Sequence, residues 1–170
     1  LNGYAGTGKT SIIAAFVATL KKLRIKPVML APTGRAAKVM ARHTGLGAST
    51  IHKKIYRQKS SADPEPGFSL DFNREKDACF IVDEASMLSA SADAGSPFGS
   101  GSLLDDLFQY VRQGTRCRIL FVGDDAQLPP VGHDRSPALD PDFMAAYGAV
   151  EYGTLDEVMR QSDDSGILFN

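Results

Sequence analysis

Apolar side chains recur through residues 10–23, TSIIAAFVATLKKL, at intervals of three and four, the spacing that gathers one face of a helix. Directly after it, PVMLA at 27–31 is a short unbroken apolar run of strand length. The alternation continues along the chain. Helical spacing returns near 34–42 and near 50–57, ACFIVD at 78–83 is a second strand, LLDDLFQYVRQG at 103–114 a further helix, and RILFVGD at 118–124 a third strand. A short helix near 141–147 and a strand near 149–155 complete the series. Strands apolar on both sides and separated by helices predict an α/β fold, a mostly parallel sheet with helices on both faces.

Two stretches interrupt this order. Residues 58–77, QKSSADPEPGFSLDFNREKD, are polar and turn-rich around Phe68 and Leu70, and predict a small surface insertion of hairpin type. Residues 89–102, SASADAGSPFGSGS, have linker-like composition and predict a mobile loop. Neither is long enough for a second folded unit, and 170 residues with 43% hydrophobic and 23% charged side chains suit one domain over 1–170.

Charge adds an asymmetry. Net charge is −1, yet residues 1–62 hold no Asp or Glu and contain Lys21, Lys22, Arg24, Arg35, Lys38, Arg42, Lys53, Lys54 and Arg57, while every carboxylate lies beyond. A polyanion would be drawn to one part of the molecule, although a merely solvated basic face fits the same count. No apolar run reaches the ~20 residues of a membrane span and no secretory leader pattern opens the chain, which gives the expectation of a cytoplasmic protein with no membrane partner. Cys79 and Cys117 sit in apolar runs and suit core packing, and His43, His52 and His133 are too scattered for a metal site.

The chemistry begins at LNGYAGTGKT. Gly3 and Gly8-Lys9-Thr10 fit the P-loop pattern, in which glycines turn backbone N–H groups toward phosphates at a helix N-terminus. Gly3, Gly6, Thr7, Gly8, Lys9, Thr10 and Ser11 are therefore candidate nucleotide contacts, with Lys9 toward the β- and γ-phosphates and Thr10 toward Mg²⁺. Phe80-Ile81-Val82-Asp83-Glu84 is a strand ending in two acids, suited to Mg²⁺ through Asp83 and to proton acceptance from the attacking water through Glu84. Gln127, in GDDAQLPPVG, lies beyond a further strand, at the rim where open parallel sheets bind ligands. Simpler explanations exist for each: a Gly-rich turn, a strand end meeting solvent, and a proline-stiffened turn.

AGTGKT, APTGRAA, STIHK, VDEAS, GDDAQLPPVG and MRQ occur here in an order that resembles superfamily 1 DNA helicases, most of all the RecD-like 5′-to-3′ branch with the exonuclease V alpha subunit and TraA-like proteins. The resemblance implies the first RecA-like P-loop NTPase domain of a two-domain motor, using ATP and Mg²⁺ and truncated here at both ends. It implies single-stranded DNA contacts at Pro32, Thr33, Gly34, Arg35, Thr50, His52, Pro129 and Pro130, and a γ-phosphate contact from Arg160. It further implies that residues 58–77 form a duplex-splitting pin with Phe68 stacking on bases, although Phe68 could instead fasten the insertion to the core. The implied partners are single-stranded DNA, a second RecA-like domain of the full-length chain, and nuclease or repair subunits. Two other readings remain open at this point: a nucleotide-switched nucleic-acid-binding module without productive hydrolysis, and a P-loop ATPase unrelated to nucleic acid.

Overall fold

The structure, a computed structural model, describes residues 1–59, 67–92, 95–127 and 136–157. The elements run β1 (Asn2–Gly3), α1 (Lys9–Lys22), β2 (Lys26–Ala31), α2 (Gly34–Thr44), β3 (Ala48–Thr50), α3 (Ile51–Ile55), β4 (Tyr56–Gln58), β5 (Phe68–Leu70), β6 (Ala78–Val82), α4 (Leu103–Gln113), β7 (Arg118–Phe121), α5 (Pro141–Met144) and β8 (Thr154–Leu155). Three single 3-10 turns lie at Ala85–Met87, Pro137–Leu139 and Ala145–Tyr147.

The central sheet has the order β3-β2-β6-β7, every pair parallel, and β1 pairs with β8, also parallel. A parallel bridge from Asn2 to Gly123, with the Gly3 N–H donating to the Gly123 carbonyl at 3.1 Å, lays β1 beside the extension of β7. All of these strands therefore end at one rim. The strand that precedes Gln127 lies between the strand of the glycine loop and the strand of the acid pair.

The core explains the apolar strands. Along β6, Ala78, Phe80 and Val82 enter one buried cluster with α3 and α4, while Cys79 and Ile81 enter the other with α1 and α2. A strand buried on both faces cannot alternate with polar residues, so it appears as a continuous apolar run. Helix α1 buries Ile13, Val17 and Leu20, one stripe at spacings of four and three. Helix α4 is capped by Ser102, whose hydroxyl accepts from the Asp105 N–H at 3.3 Å.

Some expectations shift. The helix expected over 50–57 ends at Ile55 and passes straight into β4, and the strand expected over 149–155 shrinks to Thr154–Leu155. Strand β3, with the sequence AST, is too short and too polar to show a pattern; it forms because Met29, Leu30 and Ala31 of β2 pair with it. The insertion does carry an antiparallel hairpin, with Tyr56 opposite Leu70 and Gln58 opposite Phe68. Its downstream arm is tied in. Buried Asn73 accepts from the Glu75 N–H at 3.0 Å, and Glu75 pairs with Lys26 at 2.7 Å and Lys54 at 3.0 Å. Loop 89–102 makes defined contacts over its described part: the Phe68 N–H donates to the Pro97 carbonyl, the Gly99 N–H donates to the Phe68 carbonyl, and the Ser102 hydroxyl donates to the Ala90 carbonyl at 3.4 Å.

Candidate nucleotide site and its neighbours

The glycine loop leaves β1 at Gly3 and enters α1 at Lys9. Gly6 and Gly8 have φ of 86° and 84°, left-handed values that favour glycine. Gly3 is needed for a different reason: a Cβ there would lie 2.7 Å from Thr7 Oγ1 and 2.9 Å from Leu155 Cβ. Thr7, itself buried, closes the loop, its hydroxyl and N–H both donating to the Tyr4 carbonyl at 2.8 and 3.2 Å. Helix α1 has no side-chain cap and no acid in its first turn, so its leading N–H groups stay available to an anion. Thr10 is half-buried and Ser11 exposed in that turn.

Lys9 folds back over the loop. Its Nζ donates to the Gly3 carbonyl at 2.5 Å and the Tyr4 carbonyl at 3.0 Å, and stands 3.8 Å from Asp124 Oδ2. Asp124 is only 4% exposed, and its other oxygen accepts from the Ala126 N–H at 3.1 Å. Motif spacing did not single out Asp124. Its signal in the sequence is a carboxylate directly after the apolar run RILFVG, where a strand end meets the rim.

The acids face the same amine. Asp83 continues the β2–β6 ladder, its N–H donating to the Leu30 carbonyl at 3.0 Å, and Glu84 turns away with a left-handed φ of 54°. Burial pushes the Asp83 carboxyl up from its usual range, opposed by the Glu84 N–H bonded to it and by the Lys9 charge. Glu84 is also pushed up, first by burial and then by Asp83, while Lys9 and a hydrogen bond from Gln127 oppose the shift. The Gln127 amide oxygen accepts from Ser86 Oγ at 3.3 Å, which leaves its NH₂ for Glu84. Lys9, Asp83, Glu84, Asp124 and Gln127 thus meet at the ends of β1, β6 and β7.

Beside them, two helix starts stand on adjacent strands. Thr33 follows β2 and caps α2, accepting from the Ala36 N–H at 3.2 Å; Thr50 ends β3 and caps α3, accepting from the Lys53 N–H at 3.2 Å. Ala31 and Thr50 are register partners, so the two starts lie side by side. Pro32 is half-buried, and Arg35, Lys38, Arg42 and Lys53 are exposed with no ion pair among the described residues. Among the described residues nothing lies within 4 Å of where a Gly34 Cβ would project, and its φ is not left-handed, so their packing does not require glycine there.

His52 and Phe68, both expected to face a nucleic acid, are half-buried and pack against Phe98. The His52 ring meets Phe98 edge-on at 4.9 Å and Tyr56 at 5.7 Å, and burial pulls its pKa down, favouring the neutral ring. Phe68 stacks on Phe98 at 4.6 Å and 22°, so one face of its ring is already covered and the insertion is fastened to the core. Pro129, Pro130 and Arg160 lie outside the described residues. No helix among the described residues is long and apolar enough to cross a membrane.

A glycine loop opening a helix, beside an acid pair and an amide at the rim of a parallel sheet, defines a nucleotide-binding P-loop domain of RecA-like fold. The chain belongs to the AAA domain family, which matches it over residues 1–168. It is 32% identical over 137 residues to the ATP-dependent RecD2 DNA helicase of Deinococcus radiodurans, an alignment covering 77% of this chain and 16% of that protein. It is 33% identical over 144 residues to an uncharacterised protein of Methanocaldococcus jannaschii, covering 78% of this chain and 11% of the relative. The chain therefore spans less than a fifth of either relative's length. In fold it is similar to Bacteroides sp. Pif1, solved in complex with ADP-AlF4, with a TM-score of 0.53 and 20% identity over 95% of this chain and 38% of that one. By its motifs, sequence and fold together, the chain is a superfamily 1 helicase domain of the RecD-like kind.

Proposed function

We propose that this domain is the first motor domain of an ATP-dependent DNA helicase, coupling ATP hydrolysis to movement along single-stranded DNA and to duplex unwinding. The observation that carries the proposal is the meeting of Lys9, Asp83, Glu84, Asp124 and Gln127 at one rim, with the Thr33 and Thr50 helix starts beside it. In this reading the loop N–H groups and Lys9 hold the phosphates, Glu84 accepts the proton of the attacking water, and Gln127, already bonded to Glu84, orients that water.

The half-buried Thr10 hydroxyl and the Asp83 carboxylate, whose charge burial leaves only partly compensated, are hard oxygen donors that fit Mg²⁺. That ion supplies neutralisation of charge on the phosphates. Single-stranded DNA is assigned to Pro32, Thr33, Gly34, Arg35 and Thr50, where helix N-termini and basic side chains without an ion pair among the described residues suit a phosphate backbone. The open Cβ direction of Gly34 supports that assignment, since a close backbone approach by a ligand is a reason for glycine that the domain's packing does not supply. A second RecA-like domain across the nucleotide, Arg160 reaching the γ-phosphate, cytoplasmic residence and association with nuclease or repair subunits complete the proposal.

Glu84→Gln in the full-length protein tests it. DNA-stimulated ATP hydrolysis should fall by about 10²–10⁴-fold while ATP binding persists. A parent protein without turnover points to a nucleotide switch, and turnover indifferent to single-stranded DNA points to an ATPase unrelated to nucleic acid.

A further inference from the structure

The β4–β5 hairpin has three residues in each arm, and an isolated hairpin of that size is not stable in water. What holds it is a segment from the far side of the acid pair. The Phe68 N–H donates to the Pro97 carbonyl at 2.8 Å and the Gly99 N–H to the Phe68 carbonyl at 2.9 Å, so residues 97–99 join β5 through a single parallel bridge between Phe68 and Phe98.

Phe98 is the centre of this contact. Its ring stacks on Phe68 at 4.6 Å, meets His52 edge-on at 4.9 Å and approaches Tyr56 at 5.2 Å, and so touches both the hairpin and α3. Asp106, 2% exposed, anchors the assembly, accepting from the Tyr56 hydroxyl at 2.6 Å and the Ser100 N–H at 3.0 Å. Glycines permit the close approach. A Cβ on Gly67 would lie 2.9 Å from the Pro97 carbonyl oxygen, and one on Gly99, whose φ is 46°, would lie 2.0 Å from Asp106 Oδ2. A loop of flexible composition is thereby built to seat one aromatic ring.

We propose that Phe98 is a positioning residue: wedged among His52, Tyr56 and Phe68, its ring fixes the β4–β5 hairpin against α3, so that the hairpin meets duplex DNA at a set angle during unwinding. The role in unwinding rests on the helicase reading above and on the duplex-splitting pin that the resemblance implies for residues 58–77, whereas the bracing of the hairpin stands on the ring contacts alone. Because β4 continues directly from α3, loss of the wedge frees the hairpin to swing about Tyr56 while the glycine loop and acid pair keep their own contacts.

The test is Phe98→Ala in the full-length protein, with Phe98→Tyr as the variant that keeps a ring. Expected for the alanine variant are loss of amide-exchange protection at Phe68 and Gly99 of about tenfold, unwinding of a forked duplex slowed by about tenfold, and ATP hydrolysis stimulated by single-stranded DNA within about twofold of the parent. The tyrosine variant should restore protection and unwinding together. Unchanged protection overturns the bracing role, and lost protection with unchanged unwinding overturns the role in positioning. Hydrolysis and unwinding falling in proportion also overturn it, because the ring would then support the whole domain. A parent that hydrolyses ATP on single strands yet opens no duplex overturns the helicase reading and the hairpin's part in it, while amide protection still decides whether the ring braces the hairpin.

Discussion

Gly3 and Gly8 flank the same loop, yet the structure gives them different reasons to be glycine, and alanine at each should separate those reasons. At Gly3 an added Cβ meets Thr7 Oγ1 at 2.7 Å, Leu155 Cβ at 2.9 Å and the Leu155 carbonyl at 3.3 Å. Neither neighbour moves freely: Thr7 is buried and bonded to the Tyr4 carbonyl, and Leu155 is the register partner of Gly3 itself. Relief by withdrawing Thr7 loses a hydrogen bond of about 1 kcal/mol, added to the roughly 1–3 kcal/mol typical of overpacking, for a total of about 2–4 kcal/mol. At Gly8 nothing among the described residues lies within 4 Å of an added Cβ, so the cost is the left-handed backbone, about 1–2 kcal/mol. Urea unfolding of the parent and both variants measures this order. Thr7→Ala combined with Gly3→Ala adds a second check, since deleting Oγ1 removes the nearest of the three contacts while those to Leu155 remain, and the pair should cost less than the sum of the single changes. Gly3→Ala no more damaging than Gly8→Ala, or full additivity with Thr7→Ala, refutes the steric argument.

Further changes test other parts of the rim. Gly34→Ala places a methyl group in open space at the first position of α2, so stability should hold or rise by about 0.5–1 kcal/mol, while affinity for single-stranded DNA in the full-length protein falls about tenfold. Undiminished affinity would remove Gly34 from the interface. Asp83→Asn addresses the cost of the buried charge. Because burial holds the folded-state pKa above the usual 3.8, this group favours folding below that value and its contribution is lost as pH rises through the folded pKa. At neutral pH without nucleotide the asparagine variant should therefore melt higher than the parent, and the gap should narrow as pH falls through the raised folded pKa and stay closed below the usual 3.8. A lower melting temperature at pH 7 would show that Lys9 outweighs the burial.

Much of this domain was legible in its sequence because the signals are local. Glycines at Gly3, Gly6 and Gly8, the helical stripe Ile13, Val17 and Leu20, and the strand ACFIV followed by two acids each involve neighbours in the chain, whose spacing follows from helix and strand geometry. The alternation of helices and apolar strands likewise set the α/β class. Strand β3 escaped because its residues carry no pattern of their own and it exists only through its pairing with β2, while the strand expected over 149–155 keeps only the two residues that pair with β1.

By itself, then, the sequence determined the longer helices and the apolar strands and which side chains could handle a phosphate. Only the tertiary structure decided the strand order, and with it that the end of β7 lies between the glycine loop and the acid pair, bringing buried Asp124 to Lys9 and Gln127 to Glu84. Packing also turned Phe68 and His52 toward Phe98, where burying three rings together outweighs exposing them. These partners are separated along the chain by tens of residues or more. What joins them is the shared apolar surface of the sheet, a property of the folded molecule that no local window of sequence contains.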